Sequence, residues 1–385
     1  MEPEIQRPQP EAPYVEKDAA SAPVPETFAP SLGERIFDWM NWTFVGSQGL
    51  RSGWSVLIFV LLFGLLASAV GFVFVKLHVV SMKDGITVHS ALFNELINLL
   101  PLLGAAALMA LIERRRSLLE YNLTGPRRTP HFFSGLVAGF VALSALVGAL
   151  AWGGWLHFGP HALSGAAIFR FAGLWAVVFL MVGCVEEGLF RCYLLFTLTR
   201  GINFWWAFGT VGTLSVLVFI MPKSNGPNGV YAAALVGLVP CLWLHLKKRE
   251  SAGFWQATWV TSFIFGSIHV SNPGESWIGI FAAAMIGVVF CVSVRVTGSA
   301  WWAIGFHASW DWAETYFYGT ADSGLVAPGH YLTTSTAGNA LWSGGADGPE
   351  GSLLVLGVIL LLLAALLVIY GRKRAAMQPV ELAVE

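Results

Sequence analysis

The stretch Met181–Phe196 reads MVGCVEEGLFRCYLLF and sets three charged residues, Glu186, Glu187 and Arg191, in the middle of an apolar run from Ala166 to Leu198. A run of that length can cross a bilayer, which takes about 20 apolar residues in a helix. Charged groups at the centre of a membrane helix cost roughly 2.5–3.5 kcal/mol each on insertion scales. Three together therefore require pairing and a polar interior. On a helix, Glu187 and Arg191 share a face at i,i+4 with the acid first, the favourable order. Glu186 points about a quarter turn away, in line with Phe190, and has no partner in its own helix. An isolated Glu–Arg pair would only staple helices together. A second, unpaired glutamate adds a chemical group beside a structural clamp.

Working outward, the whole chain fits a membrane protein. Of its 385 residues, 56% are hydrophobic and only 12% charged, against about 25% charged in soluble chains. The net charge of −1 argues against a nucleic-acid partner. The 17 Trp and 42 Gly suit a polytopic bundle, with tryptophan at the interfaces and glycine where helices meet. Cys184, Cys192, Cys241 and Cys291 are dispersed in apolar segments without CxxC spacing, so neither a disulfide framework nor a zinc ribbon is expected.

Residues 1–32 hold seven prolines and no apolar run, which predicts a disordered tail and no cleavable signal peptide. Residues 33–50 follow as an interfacial amphipathic segment. Within LGERIFDWMNWTFV, Ile36, Phe37, Met40 and Phe44 lie towards one side and Glu34, Arg35, Asp38 and Asn41 towards the other. Ten apolar runs then predict an all-α, polytopic transmembrane helix bundle of about ten spans. They lie near residues 54–80, 88–112, 131–156, 166–198, 203–221, 230–246, 254–270, 276–294, 298–318 and 352–370. Residues 54–156 group as N-terminal membrane helices and 166–320 as a catalytic core, with 203–246 read as an inserted helical pair. The Gly-rich loop 319–351, the last span 352–370 and a basic tail 371–385 complete the chain.

Ten spans place both termini on one side. With that side cytoplasmic, 17 Lys/Arg fall inside and four outside, leaving Arg191 in the membrane out of 22 in all. The split follows the positive-inside rule, and the 319–351 loop, which has no Lys or Arg, falls outside. The expected location is a multi-pass protein of the bacterial inner membrane with N- and C-termini cytoplasmic. Gly279, Ala283 and Gly287 recur every four residues and read as a close helix contact.

Seven of the nine histidines lie in loops or near span ends. The other two belong to patterns. FGSIH ends in His269, late in the seventh span, and HASWD puts His307 and Asp311 at i,i+4 in the ninth. Nothing apolar can satisfy Glu186, His269, His307 and Asp311, so they are expected to converge on one hydrated cavity. There a carboxylate can take a proton from water, and imidazoles can orient the water or donate to an oxyanion. The same set, Glu186 with His269 and His307, could instead hold zinc with an open fourth position. The absence of HExxH spacing gives no support to a metal.

EEGLFR, FGSIH and HASWD resemble the EExxxR, FxxxH and HxxxN/D motifs of the CAAX-protease and bacteriocin-processing (CPBP) intramembrane proteases, the family of the type II CAAX prenyl endopeptidases. All three occur in order on apolar helices. The resemblance implies an endopeptidase with Glu186 activating water and with Glu187 and Arg191 as its companions. It also implies His269 as the partner on the water, His307 with Asp311 on the oxyanion side, and no cofactor. Two features depart from the family pattern: 83 residues separate Glu186 from His269, and position 311 is Asp, which when ionised cannot donate to an oxyanion. The implied partners are the lipid bilayer and a membrane-associated peptide or protein substrate, with prenylated targets not expected for a bacterial chain. A proton-coupled transporter and a non-catalytic scaffold or immunity factor of the same fold are the alternatives.

Overall fold

The computed structural model describes residues 31–46, 49–77, 87–220 and 234–371. The Pro-rich tail and almost all of the basic C-terminal tail lie outside these, as does part of the 203–246 pair. Residues up to Val45 form a unit of their own. In it, helix α1 (Leu32–Phe44) is opened by a capping box between Ser31 and Glu34 and buries none of its residues, as an interfacial helix requires. The helix ends at Phe44, and Val45 is extended, so only the first part of the 33–50 segment is helical.

The second unit is an all-α bundle. Its helices are α2 (Ser52–Lys76), α3 (Val88–Ile112), α4 (Arg128–Trp152), α5 (Ala166–Glu187), α6 (Leu195–Thr199) and α7 (Phe204–Ile220). They continue with α8 (Leu238–Leu246), α9 (Ala252–Ile268), α10 (Trp277–Thr297), α11 (Trp301–Asp311) and α12 (Leu353–Leu366). A helix satisfies all of its interior backbone groups internally, which lipid demands. Among the described residues, six segments are long and apolar enough to cross a membrane: Ser52–Lys76, Val88–Ile112, Arg128–Trp152, Ala166–Thr199, Trp277–Thr297 and Leu353–Gly371. The other described apolar runs give shorter helices. The reasons are local. α9 gives way to a tight turn at His269, and the segment that runs from α11 into a π-helical stretch at Trp312–Tyr318 carries His307, Asp311 and Glu314, which lower its hydropathy. Large apolar side chains such as Leu61, Leu65, Val137 and Leu361 are exposed on the bundle's outside, where lipid is their solvent.

α4 and α11 form the closest helix pair. A Cβ at Gly139 would collide with the Phe306 carbonyl oxygen and Ser309 Oγ, and one at Gly135 or Gly305 would strike the facing backbone. Small residues thus let the backbones touch and fix the height of the helix carrying His307. Gly139→Leu should cost about 1–3 kcal/mol or more through overpacking. Gly148→Leu, on the same helix but with nothing within 4 Å, should be tolerated. Thermal unfolding of the two detergent-purified variants checks the contrast, and equal midpoints would contradict it.

The described parts of 203–246 pack on α9 through a cluster of their own, built from Phe204, Val211, Leu238, Val260 and Phe263. None of the described residues of this pair lines the cavity described below. A short antiparallel pairing of Leu156–Phe158 with Thr334–Thr336 ties the long outer loop to the end of α4.

Candidate active site

α5 delivers Glu186 and Glu187 at its last turn, and the chain continues as a π-helical stretch, Gly188–Leu194. π turns free backbone groups and recur at functional sites. Here the freed Arg191 carbonyl accepts from Asn122 Nδ2 at 2.8 Å. The i,i+4 pair forms as expected, with Arg191 Nη1 3.2 Å from Glu187 Oε1 and both side chains at most 1% exposed. The guanidinium lies 4.3, 5.1 and 5.6 Å from the ring centres of Phe265, Phe290 and Phe190. These aromatic faces help hold the cation out of water.

Glu187 has a second partner. Its Oε1 lies 2.9 Å from His307 Nδ1, so one carboxylate bridges the arginine and the histidine. The other nitrogen of His307, Nε2, lies 3.5 Å from Asp311 Oδ2 and 3.8 Å from Glu186 Oε2. Glu186 Oε2 makes no hydrogen bond, and its side chain keeps 30% of its exposure. His269 starts the turn after α9 and sets Nδ1 2.7 Å from the Phe265 carbonyl. A carbonyl only accepts, so Nδ1 carries the proton and Nε2 keeps its lone pair.

Glu186, His269, His307 and Asp311 line one cavity of about 620 Å³, a size typical of ligand sites. Glu187 and Arg191 sit behind its wall. His269 lies just past α9, which stops at Ile268.

The stripe Gly279–Ala283–Gly287 serves a helix contact and the site together. Gly279 and Ala283 face the cavity, and a Cβ on Gly287 would lie 2.8 Å from Arg191 Nη2 and 3.1 Å from Ser262 of α9. The α9–α10 contact also uses Gly266, which abuts the Ile280 carbonyl and Ala284.

Sequence reasoning missed Glu95 of α3, Asn272, Asp322 and Glu350, which also line the cavity. Glu95 met the criterion that singles out Glu186, an acid inside an apolar run. The others lie in loops, where an acid carries no such signal. Asp347 Oδ2 accepts from Ser276 N at 3.0 Å at the start of α10, where an anion suits the helix dipole. Beside it, burial first and then the Asp347 charge push Glu275 up to about 8.

Residues 241–313 match the family model described as Type II CAAX prenyl endopeptidase Rce1-like. That match supports a CAAX-protease family assignment. It contains FGSIH and HASWD, while EEGLFR lies upstream of it, beyond the 203–246 segment. No curated protein and no solved structure matches the chain significantly. Together with six membrane-length helices among the described residues, the match supports an integral membrane protein and a protease assignment.

Proposed function

We propose that the chain is an intramembrane endopeptidase that hydrolyses a peptide bond in a membrane-associated protein or peptide, with Glu186 as general base. The observation that carries this reading is a carboxylate oxygen with no hydrogen bond, 3.8 Å from His307 Nε2, in a cavity it shares with His269.

A water bound there would give a proton to Glu186, with the lone pair of His269 Nε2 orienting it. Its oxygen attacks the scissile carbonyl carbon. Both nitrogens of His307 face carboxylate oxygens, so each can serve as a donor, and Nε2–H is placed to meet the developing oxyanion. Collapse breaks the C–N bond, and Glu186 returns its proton to the leaving amine. Glu187 holds His307 from behind and Arg191 holds Glu187. Asp311 bears on His307, which answers the difficulty that an ionised aspartate cannot donate to an oxyanion.

The cavity is lined by Asn272, Ser323, Leu325, Ala327 and Glu350 from two loops. With the Lys/Arg-rich loops cytoplasmic and the shorter helices also crossing, for ten spans in all, both loops lie on the outer side, and so does the entrance.

The reaction runs without a catalytic metal in this reading. Zinc at Glu186, His269 and His307 is the competing arrangement, since a histidine with Nδ1 tied to a carbonyl also makes a good ligand. Cleavage of a membrane-anchored peptide by protein in liposomes should survive 1,10-phenanthroline, a chelator selective for transition metals. Loss of cleavage, restored by about one Zn²⁺ per chain, would replace the glutamate-only mechanism.

A further inference from the structure

At the edge of the cavity lies a second group of acids. Glu314 belongs to the π-helical stretch that follows α11, and Asp322 and Glu350 lie near the two ends of the outer loop. One carboxylate oxygen from each falls within 4.8 Å of the other two. Glu314 is 0% exposed, and neither of its oxygens has a hydrogen-bond partner. The other two acids are each held by one donor. Thr315 Oγ1 donates to Asp322 Oδ2 at 2.7 Å, and Trp310 Nε1 donates to Glu350 Oε1 at 2.8 Å. Among the described ion pairs, none joins any of the three to Lys, Arg or His. Residues 319–351 supply no Lys or Arg.

A fully buried carboxylate with no partner, aimed at two others, needs either a proton or a counter-charge. We infer that Glu314, Asp322 and Glu350 bind a hard divalent cation, Ca²⁺ in the first instance, which pins both ends of the outer loop to the helix carrying His307 and Asp311. An all-oxygen donor set excludes preference for a soft metal. Two oxygens each 2.3–2.6 Å from one Ca²⁺ can be about 4.6–5.2 Å apart, which accommodates the observed spacing. Glu314 offers both of its oxygens, and Ca²⁺ takes six to eight oxygen ligands in flexible geometry. Asp322 and Glu350 also line the catalytic cavity, so the cation would brace its outer wall. The site is separate from the Glu186 and histidine cluster, and its failure would leave the peptidase reading intact.

The test uses full-length protein in detergent, stripped with a Ca²⁺ chelator and titrated with Tb³⁺ under tryptophan excitation. Trp310, hydrogen-bonded to Glu350, sensitises the ion at this position. Saturable emission at about one ion per chain is expected, displaced by Ca²⁺ but not by Na⁺ at equal ionic strength. Extracellular carboxylate sites bind Ca²⁺ at about 10⁻⁴–10⁻³ M, and Asp322→Asn and Glu350→Gln should each weaken binding at least tenfold. Glu314→Gln tests the central ligand; because a change at a fully buried position risks folding, the other two variants carry the decision. Absence of saturable binding in the wild type would overturn the inference. So would equal displacement by Na⁺, or unchanged affinity in both Asp322→Asn and Glu350→Gln.

Discussion

Replacing Glu186 by Gln should lower kcat by about 10²–10⁴-fold, the usual contribution of a positioned general base, while leaving folded yield and thermal midpoint near wild type. The physical reason is the unequal standing of its oxygens. Glu186 Oε2 holds no hydrogen bond, its side chain is partly exposed to the cavity, and the nearest charged partner is 3.8 Å away. Little native structure depends on it, whereas proton abstraction depends on it entirely. The fall should appear equally in kcat and kcat/KM, because the carboxylate acts in the transition state rather than in binding. A variant that cleaves at wild-type rate would remove Glu186 from the chemistry.

Glu187→Gln should do the reverse and more. One buried carboxylate balances Arg191 at 3.2 Å and His307 at 2.9 Å. Its loss leaves an uncompensated charge in a dry site, at a cost of about 3–5 kcal/mol. Against typical total stabilities of 5–15 kcal/mol, that should cut folded yield sharply. The molecules that do fold should also lose activity, because His307 loses the acceptor that fixes its ring. Size-exclusion recovery and thermal midpoint separate the two effects from assay rates. Normal stability in Glu187→Gln combined with instability in Glu186→Gln would mean that the two glutamates have exchanged roles.

The Glu187–Arg191 pair was legible in the sequence because i,i+4 spacing on one helix is a local property. So was the grouping of Glu186, His269, His307 and Asp311, since each is costly in lipid and none is satisfied locally. Glu187 to His307 was not legible. That contact joins residues 120 positions apart, and it depends on α5 facing α11, where Gly183 lets the two backbones approach at Ile304 and Ala308. Nor was the second role of Gly287 legible: it makes room for the Arg191 guanidinium as well as for Ser262 of α9. The π-helical stretches after Glu187 and Asp311 also escaped the sequence, because they depend on tertiary partners such as Asn122. The helical character of the apolar runs was readable, but their lengths were not: the tight turn at His269 ends a helix that hydropathy reads as a full span. Glu314, Asp322 and Glu350 come together only when both ends of the outer loop return to one helix end.

The central claim is hydrolysis by Glu186 inside the membrane bundle. The most direct measurement is mass spectrometry of membrane-anchored peptides, prenylated and unprenylated, incubated with the reconstituted protein in H₂¹⁸O. The account predicts two products whose masses sum to the substrate plus one water. ¹⁸O should appear in the new carboxylate, and Glu186→Gln should give at least 100-fold less product, in line with the contribution of a general base. Intact peptide after incubation with folded wild-type protein, or equal cleavage by Glu186→Gln, would contradict it.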